Sequence, residues 1–369
     1  MYSKKKIMLV FGTRPEAIKM CPLVRELRER EVFLCRVCVT GQHRRMLDRV
    51  METFDVSADY DLAIMKEGQD LFDITLSVLD RIKAVLKLEK PDIVLVHGDT
   101  SSAFCAALAC FYLGIPVGHV EAGLRTYDLS APFPEEWNRR AIDILASYHF
   151  APTERARKNL RGEGIASDKI SVTGNTGIDA LRTTVRKDYK HPILDWATGS
   201  RLILLTAHRR ENIGEPMERA FASVRRIAEE FDDVKVVYPV HPNPAVREIA
   251  DKAFGECQHI KLVSALDTID FHNILSRCYL VLTDSGGIQE EAPALGKPVL
   301  VMRNSTERQE GIEAGVLRLI GTGSGSVYRG IRDLLENEAL YFVMSHSPNP
   351  YGDGYASRRI ADKIEEIIL

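Results

Sequence analysis

The stretch IVLVHGDTSSAFCAALACFYLGIPVGHV, residues 93–120, decides the fold. It opens on an unbroken aliphatic run at 93–96, breaks at His97-Gly98-Asp99-Thr100, and continues through a helical pattern over 102–112. A second short apolar run closes it at 117–120. Strands written as continuous Val/Ile/Leu runs, alternating with helices, belong to a parallel sheet covered on both faces. The same pattern extends outward in both directions. Toward the N-terminus an apolar strand spans 7–11, Gly12-Thr13-Arg14-Pro15 makes a turn, and a helix follows. Pro15 suits a first helical turn, where its missing N–H costs nothing. A strand over 33–39, a helix from about residue 43 and a helix over 72–88 fill the interval. A helix over 135–146 and a strand over 148–151 come afterwards.

A polar stretch without apolar period, 189–200, marks a break before a second round. Strands are expected at 202–206, 234–240, 260–263, 280–283 and 298–302, with helices at 217–230 and 288–295. An amphipathic helix over 355–368 ends the chain and is expected to cross back onto the first half. At 369 residues the chain exceeds what one hydrophobic core usually serves. The expected architecture is α/β, with two Rossmann-like doubly wound parallel-sheet domains facing a cleft. The first spans 1–171 and takes back the helix 356–369; the second spans 172–355.

Hydrophobic content of 45% and charged content of 27% are ordinary globular values. A net charge of −3 with both signs interspersed argues against nucleic acid or an anionic membrane as partner. No apolar run approaches the roughly 20 residues of a membrane helix, and 7–12 is β-like rather than a signal-peptide core. The chain is read as cytoplasmic. Seven cysteines make no disulfide framework. Cys35 and Cys38 sit in an alternating strand pattern, so they point to opposite faces and cannot grip one metal. Cys105 and Cys110, on a helix, diverge by about 140°. These thiols are read as buried.

In open parallel sheets, ligands bind beyond the carboxyl ends of the strands, and the polar clusters fall there in both halves. Arg14 follows the first strand, Asp99 the strand at 94–96, and Glu121 the strand ending at Val120. In the second half His208-Arg209-Arg210 follows 202–206, His241 follows 236–240, and Asp284-Ser285-Gly286-Gly287 follows 280–283. Two glycines at a strand-to-helix turn let backbone N–H groups approach phosphate oxygens at the positive end of a helix. Glu291, one turn into that helix, is within reach of the hydroxyls of an attached ribose. A plain capping turn with no ligand is the alternative. Asp99, Glu121 and Glu135 are candidates for proton transfer if burial raises the pKa of at least one toward neutrality, against helix capping for a lone Asp after a strand. His208, Arg209 and Arg210 suit a diphosphate or a solvated basic turn, and Arg308 faces phosphate or solvent. No Gly-x-Gly-x-x-Gly follows the first strand, and there is no phosphate loop or His-Glu-x-x-His helix. His97 with Asp99, and His119 with Glu121, mimic a metal site only weakly.

The chain resembles the non-hydrolysing UDP-N-acetylglucosamine 2-epimerase family. The resemblance rests on FGTRPEAIKMCPLV (11–24), TGQHRRMLD (40–48), VHGDTSSAF (96–104), GHVEAGLRT (118–126) and PFPEEWNR (132–139). It continues in GNTGIDAL (174–181), AHRREN (207–212), YPVHPNP (238–244), LTDSGGIQEEAPALGKPVLVMRNSTERQE (282–310) and NPYGDGYAS (349–357). It therefore covers nearly the whole chain in order. It implies a fold like the two-Rossmann-domain (GT-B) glycosyltransferases, no cofactor and no metal, and inversion of C2 between UDP-N-acetylglucosamine and UDP-N-acetylmannosamine. It further implies a homodimer through the first domain, and a product destined for cell-surface polysaccharide.

By the same resemblance Asp99, Glu121 and Glu135 hold the acid–base positions and His208 helps hold the departing diphosphate. Arg14 and Lys19 lie near phosphates and sugar. Ser285, Gly286 and Gly287 bind the diphosphate, Glu291 the ribose, and Arg308 the substrate; Phe271 flanks uracil and Leu266 offers backbone atoms. Gln42, Gln69, Arg209 and His241 match a second, activating UDP-N-acetylglucosamine pocket, although Arg45 and Gly68 replace the Gln and Arg of some bacterial members. The C2 hydrogen flanks no ketone, so inversion needs either transient oxidation, whose nicotinamide fingerprint is missing, or elimination of UDP to a 2-acetamidoglucal and re-addition. A hydrolysing 2-epimerase, a glycosyltransferase of the same fold and a non-catalytic UDP-sugar sensor are the rival readings.

Overall fold

Alternate residues of Lys5–Phe11 (β1) enter different apolar clusters: Ile7, Leu9 and Phe11 join one, Met8 and Val10 the other. A strand apolar on both faces can only be covered on both faces, and this one lies inside a parallel sheet. The architecture comes from a computed structural model that describes residues 4–41, 44–66 and 68–369. The first sheet continues with Phe33–Val39 (β2), Tyr60–Asp61 (β3), Ile93–His97 (β4), Val117–Val120 (β5), Tyr148–Ala151 (β6) and Ile170–Val172 (β7). Its order is β3-β2-β1-β4-β5-β6-β7, parallel throughout. The second sheet has Arg201–Thr206 (β8), Val234–Pro239 (β9), Ile260–Val263 (β10), Leu280–Thr283 (β11), Val299–Val301 (β12) and Leu317–Leu319 (β13). Its order is β10-β9-β8-β11-β12-β13, also parallel. Strand order reverses between β1 and β4 in one sheet and between β8 and β11 in the other. Each reversal is a topological switch point, where helices on opposite faces leave a crevice at the strand ends.

The chain divides into a unit of Met1–Thr183 with Tyr351–Leu369 and a unit of Thr184–Pro350. The expected division at 171/172 thus moves to 183/184. The Thr176–Thr184 helix is tied to the returning C-terminal segment: Asn175 N–H donates to Tyr351 O at 2.8 Å, and Asp179 accepts from the N–H groups of Ala356 and Ser357 at 3.1 and 2.7 Å. Those last two bonds satisfy orphan donors at the start of the Ala356–Ile368 helix. Its Ile360, Ala361 and Ile364 then pack into the first unit's core. The polar stretch 189–200 is not a linker. It holds the Pro192–Trp196 helix, whose Ile193, with Ala197, is buried in the second unit.

The seven cysteines are free and buried. Cys35 lies in the cluster on one face of the first sheet and Cys38 in the cluster on the other. No described helix is long and apolar enough to cross a membrane.

Candidate active site

In the first unit the turns after β1 and β4 are sewn together by a buried carboxylate. Thr13 caps the Arg14–Arg28 helix, and Glu16 Oε2 accepts from the N–H groups of Gly12 and Thr13 at 3.0 and 2.7 Å. Its Oε1 accepts from the Thr100 hydroxyl at 2.8 Å. Gly12 permits this closeness, because a Cβ there would stand 1.8 Å from Thr40 Oγ1. Arg14, half-buried, opens the helix at this switch point, and Lys19 lies further along it.

Glu121 ends the next strand over. Its backbone is left-handed, with φ +67°, a conformation that a non-glycine residue adopts only when its surroundings impose it. Its Oε2 pairs with Lys19 Nζ, accepts from Asn175 Nδ2 at 3.2 Å, and lies 3.6 Å from His97 Nε2. That His97 nitrogen is buried and has no hydrogen-bond partner among the described residues. Burial alone pushes the Glu121 carboxyl up, but the Lys19 ammonium and the His97 ring outweigh it and hold the group well below the usual carboxylate range. Oε1 faces the neighbouring turn, 3.6 Å from where a Cβ of Gly98 would be. Asp99, next in that turn, pairs through Oδ2 with Arg139 Nη2, and its carbonyl accepts from Asn138 at 2.9 Å. The Glu135–Leu145 helix therefore serves this turn with two residues. Asn138 and Arg139 hold Asp99, and Glu135, half-buried, begins the helix. Glu136 is structural: it is fully buried and accepts from the N–H groups of Thr126 and Tyr127, both at 3.0 Å.

His119 is not a metal ligand. Its Nδ1 faces Asp143 at 2.6 Å and its Nε2 faces the Gly98 carbonyl at 2.7 Å, so both ring nitrogens are engaged within the unit. Asp143 also pairs with Arg125 at 2.7 Å. Among the described residues no three His, Cys, Asp or Glu side chains group around a common point.

In the second unit Asp284 plays the part of Glu16. Fully buried at the end of β11, it accepts from the N–H groups of His208 and Arg209 at 3.0 and 2.9 Å and from Asn212 Nδ2 at 3.1 Å. This binds the turn after β8 to the turn after β11. His208 stacks on His241 with ring centroids 5.5 Å apart. Burial pulls His208 below its ordinary value; Asp284 opposes this, while His241 and Arg209 reinforce it, so the ring is neutral at pH 7. A neutral imidazole can donate one hydrogen bond to a phosphate oxygen.

The Ser285-Gly286-Gly287 turn leads into the Ile288–Ala294 helix. A Cβ on Gly286 would meet the Arg308 guanidinium at 3.0 Å. Arg308 is therefore neither solvent-facing nor loose. It lies over the glycine, with Nε and Nη2 both 2.8 Å from Glu290 and Nη1 on Glu307. Burial pushes Glu307 up, but Arg308 and Arg303 bring it down to about 2. Glu291, almost buried, presents its carboxylate beside the same turn, with Oε1 3.9 Å from a Gly287 Cβ position. Leu266 and Phe271 lie half-buried against that unit's core, Phe271 on the Thr268–Arg277 helix.

Of the residues matched to an activator pocket, Gln69 accepts from Lys66 N–H at 2.8 Å, Gly68 is an exposed left-handed residue, and His241 is the exposed partner of the His208 stack. Gln42 and the side chain of Arg45 lie outside the described residues. Sequence reasoning missed Asn138 and Arg139, which sit on a helix, and Asn175, in the turn after β7, a three-residue strand that the apolar pattern does not mark. Their only signal was membership in the segments 132–139 and 174–181.

Two parallel-sheet units, each with its polar groups at a switch point, define a GT-B-like α/β protein. Residues 25–365 match the family described as UDP-N-acetylglucosamine 2-epimerase, and the chain belongs to it. The chain is 56% identical over 361 residues to the UDP-N-acetylglucosamine 2-epimerase of Bacillus subtilis (strain 168), covering 98% of this chain and 95% of that protein. Among solved structures, S. aureus MnaA in co-structure with UDP is 50% identical with a TM-score of 0.93, over 99% of this chain and 97% of that one. The UDP-GlcNAc 2-epimerase from Neisseria meningitidis bound to UDP-GlcNAc is 44% identical with a TM-score of 0.92, over 98% and 100%.

Proposed function

We propose that the chain interconverts UDP-N-acetylglucosamine and UDP-N-acetylmannosamine without hydrolysis, by elimination of UDP and its re-addition. The observation that carries this reading is the Glu121 carboxylate, kept ionised by Lys19 and His97 beside the Asp99 turn. An ionised, nearly buried carboxylate has a lone pair to accept a proton, and because its ion pair with Lys19 lowers its basicity, that pairing must loosen as the proton moves. In the elimination the C2–H bond breaks and its proton goes to a carboxylate. Its electron pair forms the C1=C2 bond of a 2-acetamidoglucal, and the C1–O bond breaks with UDP taking its electrons. A proton returned to the opposite face of C2 inverts that carbon, and UDP adds back at C1. Glu121 and Asp99 are assigned to the two faces, with Glu135 supporting.

The nucleotide end falls to the second unit. There Ser285, Gly286 and Gly287 supply backbone donors, and His208 a neutral donor, for the diphosphate. Arg308 sets the turn's shape, and Phe271 and Leu266 take the base. Arg14 and Lys19 are assigned to phosphates and sugar, as their match to the family motif implies.

The test is incubation with UDP-N-acetylglucosamine in D₂O, without added metal or nicotinamide, followed by NMR. The expected product is UDP-N-acetylmannosamine carrying deuterium at C2. Free N-acetylmannosamine with UDP would instead mark a hydrolysing enzyme, and unchanged substrate a transferase or sensor; either overturns the proposal.

A homodimer through the first unit is part of the same reading. The Leu71–Glu89 and Ser101–Leu113 helices pack on each other and leave Phe72, Leu76, Phe111 and Tyr112 exposed, which is apolar area suited to a partner surface. Sedimentation equilibrium should give twice the chain mass, and Phe72→Glu should reduce it to one.

A further inference from the structure

We infer that His272 is a positioning residue that makes the second unit discriminate a ribose from a 2′-deoxyribose, by fixing the carboxylate of Glu291. The inference rests on the nucleotide-binding reading above and adds to it a residue and a selectivity.

The chain of contacts runs through one unit. His272 is buried on the Thr268–Arg277 helix, next to Phe271. Its Nε2 stands 3.6 Å from Glu291 Oε2, and its Nδ1 lies 2.7 Å from the Thr184 hydroxyl. The ring is thus held at one nitrogen by the Thr184 hydroxyl and turns the other toward the carboxylate. Thr184 is itself held: Asn273 Nδ2 donates to its carbonyl at 2.7 Å, and Asn273 Oδ1 accepts from Arg186 N–H at 2.9 Å. Asn273 is fully buried and on the same helix. Thus Asn273 fixes Thr184, Thr184 orients the imidazole, and the imidazole orients Glu291.

The distance matters for what this orientation permits. At 3.6 Å Nε2 lies beside the carboxylate but outside normal hydrogen-bond range, so the buried ring limits where the carboxylate can lie without using its lone pairs. Those lone pairs therefore stay available for two adjacent hydroxyls. A carboxylate beside a glycine turn that cradles a diphosphate has the ribose diol as its natural donor pair. A truncated donor in a fixed, nearly buried site leaves the acceptor unpaired, which is how such sites reject the analogue lacking a hydroxyl. If Glu291 swung freely, it would lose that advantage through the rotamer entropy of ordering on binding.

The experiment is calorimetric binding of UDP and of 2′-deoxy-UDP to the full-length protein and to three variants. The native chain should prefer UDP by about tenfold, the scale of one hydrogen bond to a charged group. His272→Asn keeps an amide near the Nδ1 position but cannot reach Glu291. It should lose most of that preference through weaker UDP binding, with 2′-deoxy-UDP affinity unchanged. His272→Gln, whose amide reaches the Nε2 position, should restore it. Thr184→Val, which removes the orienting hydroxyl without touching the ring, should lower it, and it carries the test if the Asn variant does not fold. Equal losses for both nucleotides, or an undiminished preference in His272→Asn or Thr184→Val, overturn the inference and mark His272 as merely structural. A native chain that binds both nucleotides equally also overturns it while leaving the nucleotide reading intact. A native chain that binds neither brings down both.

Discussion

Two opposing tendencies meet at Glu121. Removal from water favours the neutral acid, and the adjacent ammonium and imidazole favour the anion, which prevails. Replacing Lys19 with Met removes the nearer positive charge and leaves burial less opposed. The Glu121 pKa, followed by NMR of the carboxyl carbon in the free protein, should then rise. No change would mean that Lys19 does not set the charge state. The sign for stability follows. A depressed carboxylate contributes stability that is complete above its unfolded value of about 4.3 and is lost as pH falls through the lower folded value. Lys19→Met should therefore be less stable than the native chain near pH 7, and the difference should shrink as pH falls through the native Glu121 value. Gly286 offers the complementary test in the second unit. Its backbone is not left-handed, so Ala is conformationally acceptable there, and the obstacle is Arg308 at 3.0 Å. A free arginine tip would swing away cheaply, but this one is buried and anchored by Glu290 and Glu307. Gly286→Ala should lower UDP affinity by about tenfold or more, equivalent to about 1.4 kcal/mol, with little change in melting temperature. A normal affinity by calorimetry would detach Arg308 from the diphosphate turn.

At the scale of elements, strands of four or more residues read best. β2, β5, β6, β10 and β11 lie where the stretches at 33–39, 117–120, 148–151, 260–263 and 280–283 place them. Shorter or less apolar elements were silent. β3 has only Tyr60 and Asp61, and β13 alternates Leu317, Arg318 and Leu319 at a sheet edge, where one face need not be apolar. The Pro192–Trp196 helix hid because its five residues are too few to show a period. The returning Ala356–Ile368 helix was legible from its amphipathic face, but its anchor, Asp179, was not, since a lone aspartate in a helix looks like any solvated one. That helix buries Ile360 fully against the first unit's core. Ile360→Ala should cost about 2–5 kcal/mol in urea unfolding, the range for deleting a core aliphatic side chain. UDP affinity should persist below the transition, because the nucleotide groups belong to the other unit. A loss under about 0.5 kcal/mol, the scale of an ordinary surface change, would mean the helix does not brace that core.

At the scale of the whole molecule, the strand exits carrying polar groups were readable one by one, but which exits adjoin was not. Adjacency depends on strand order, and only the reversals at β1/β4 and β8/β11 bring Arg14 near the Asp99 turn and His208 near the Asp284 turn. The same pairing built twice yields two different chemistries. The first unit gathers carboxylates with their counter-cations, and the second gathers backbone donors, a neutral imidazole and a guanidinium. Proton transfer and nucleotide holding should therefore separate under mutation. Asp99→Asn and Glu121→Gln should each lower deuterium exchange at C2 by about 10²-fold or more, the scale of one acid–base group. UDP affinity should meanwhile stay within about twofold, because UDP lacks the sugar whose C2 these two carboxylates are assigned to. Asp99→Asn leaves the Arg139 guanidinium underpaired in a nearly buried place, so its melting temperature must be recorded alongside the rate. The division of labour fails if either variant keeps native exchange, or if Glu121→Gln weakens UDP tenfold while exchange and melting temperature hold.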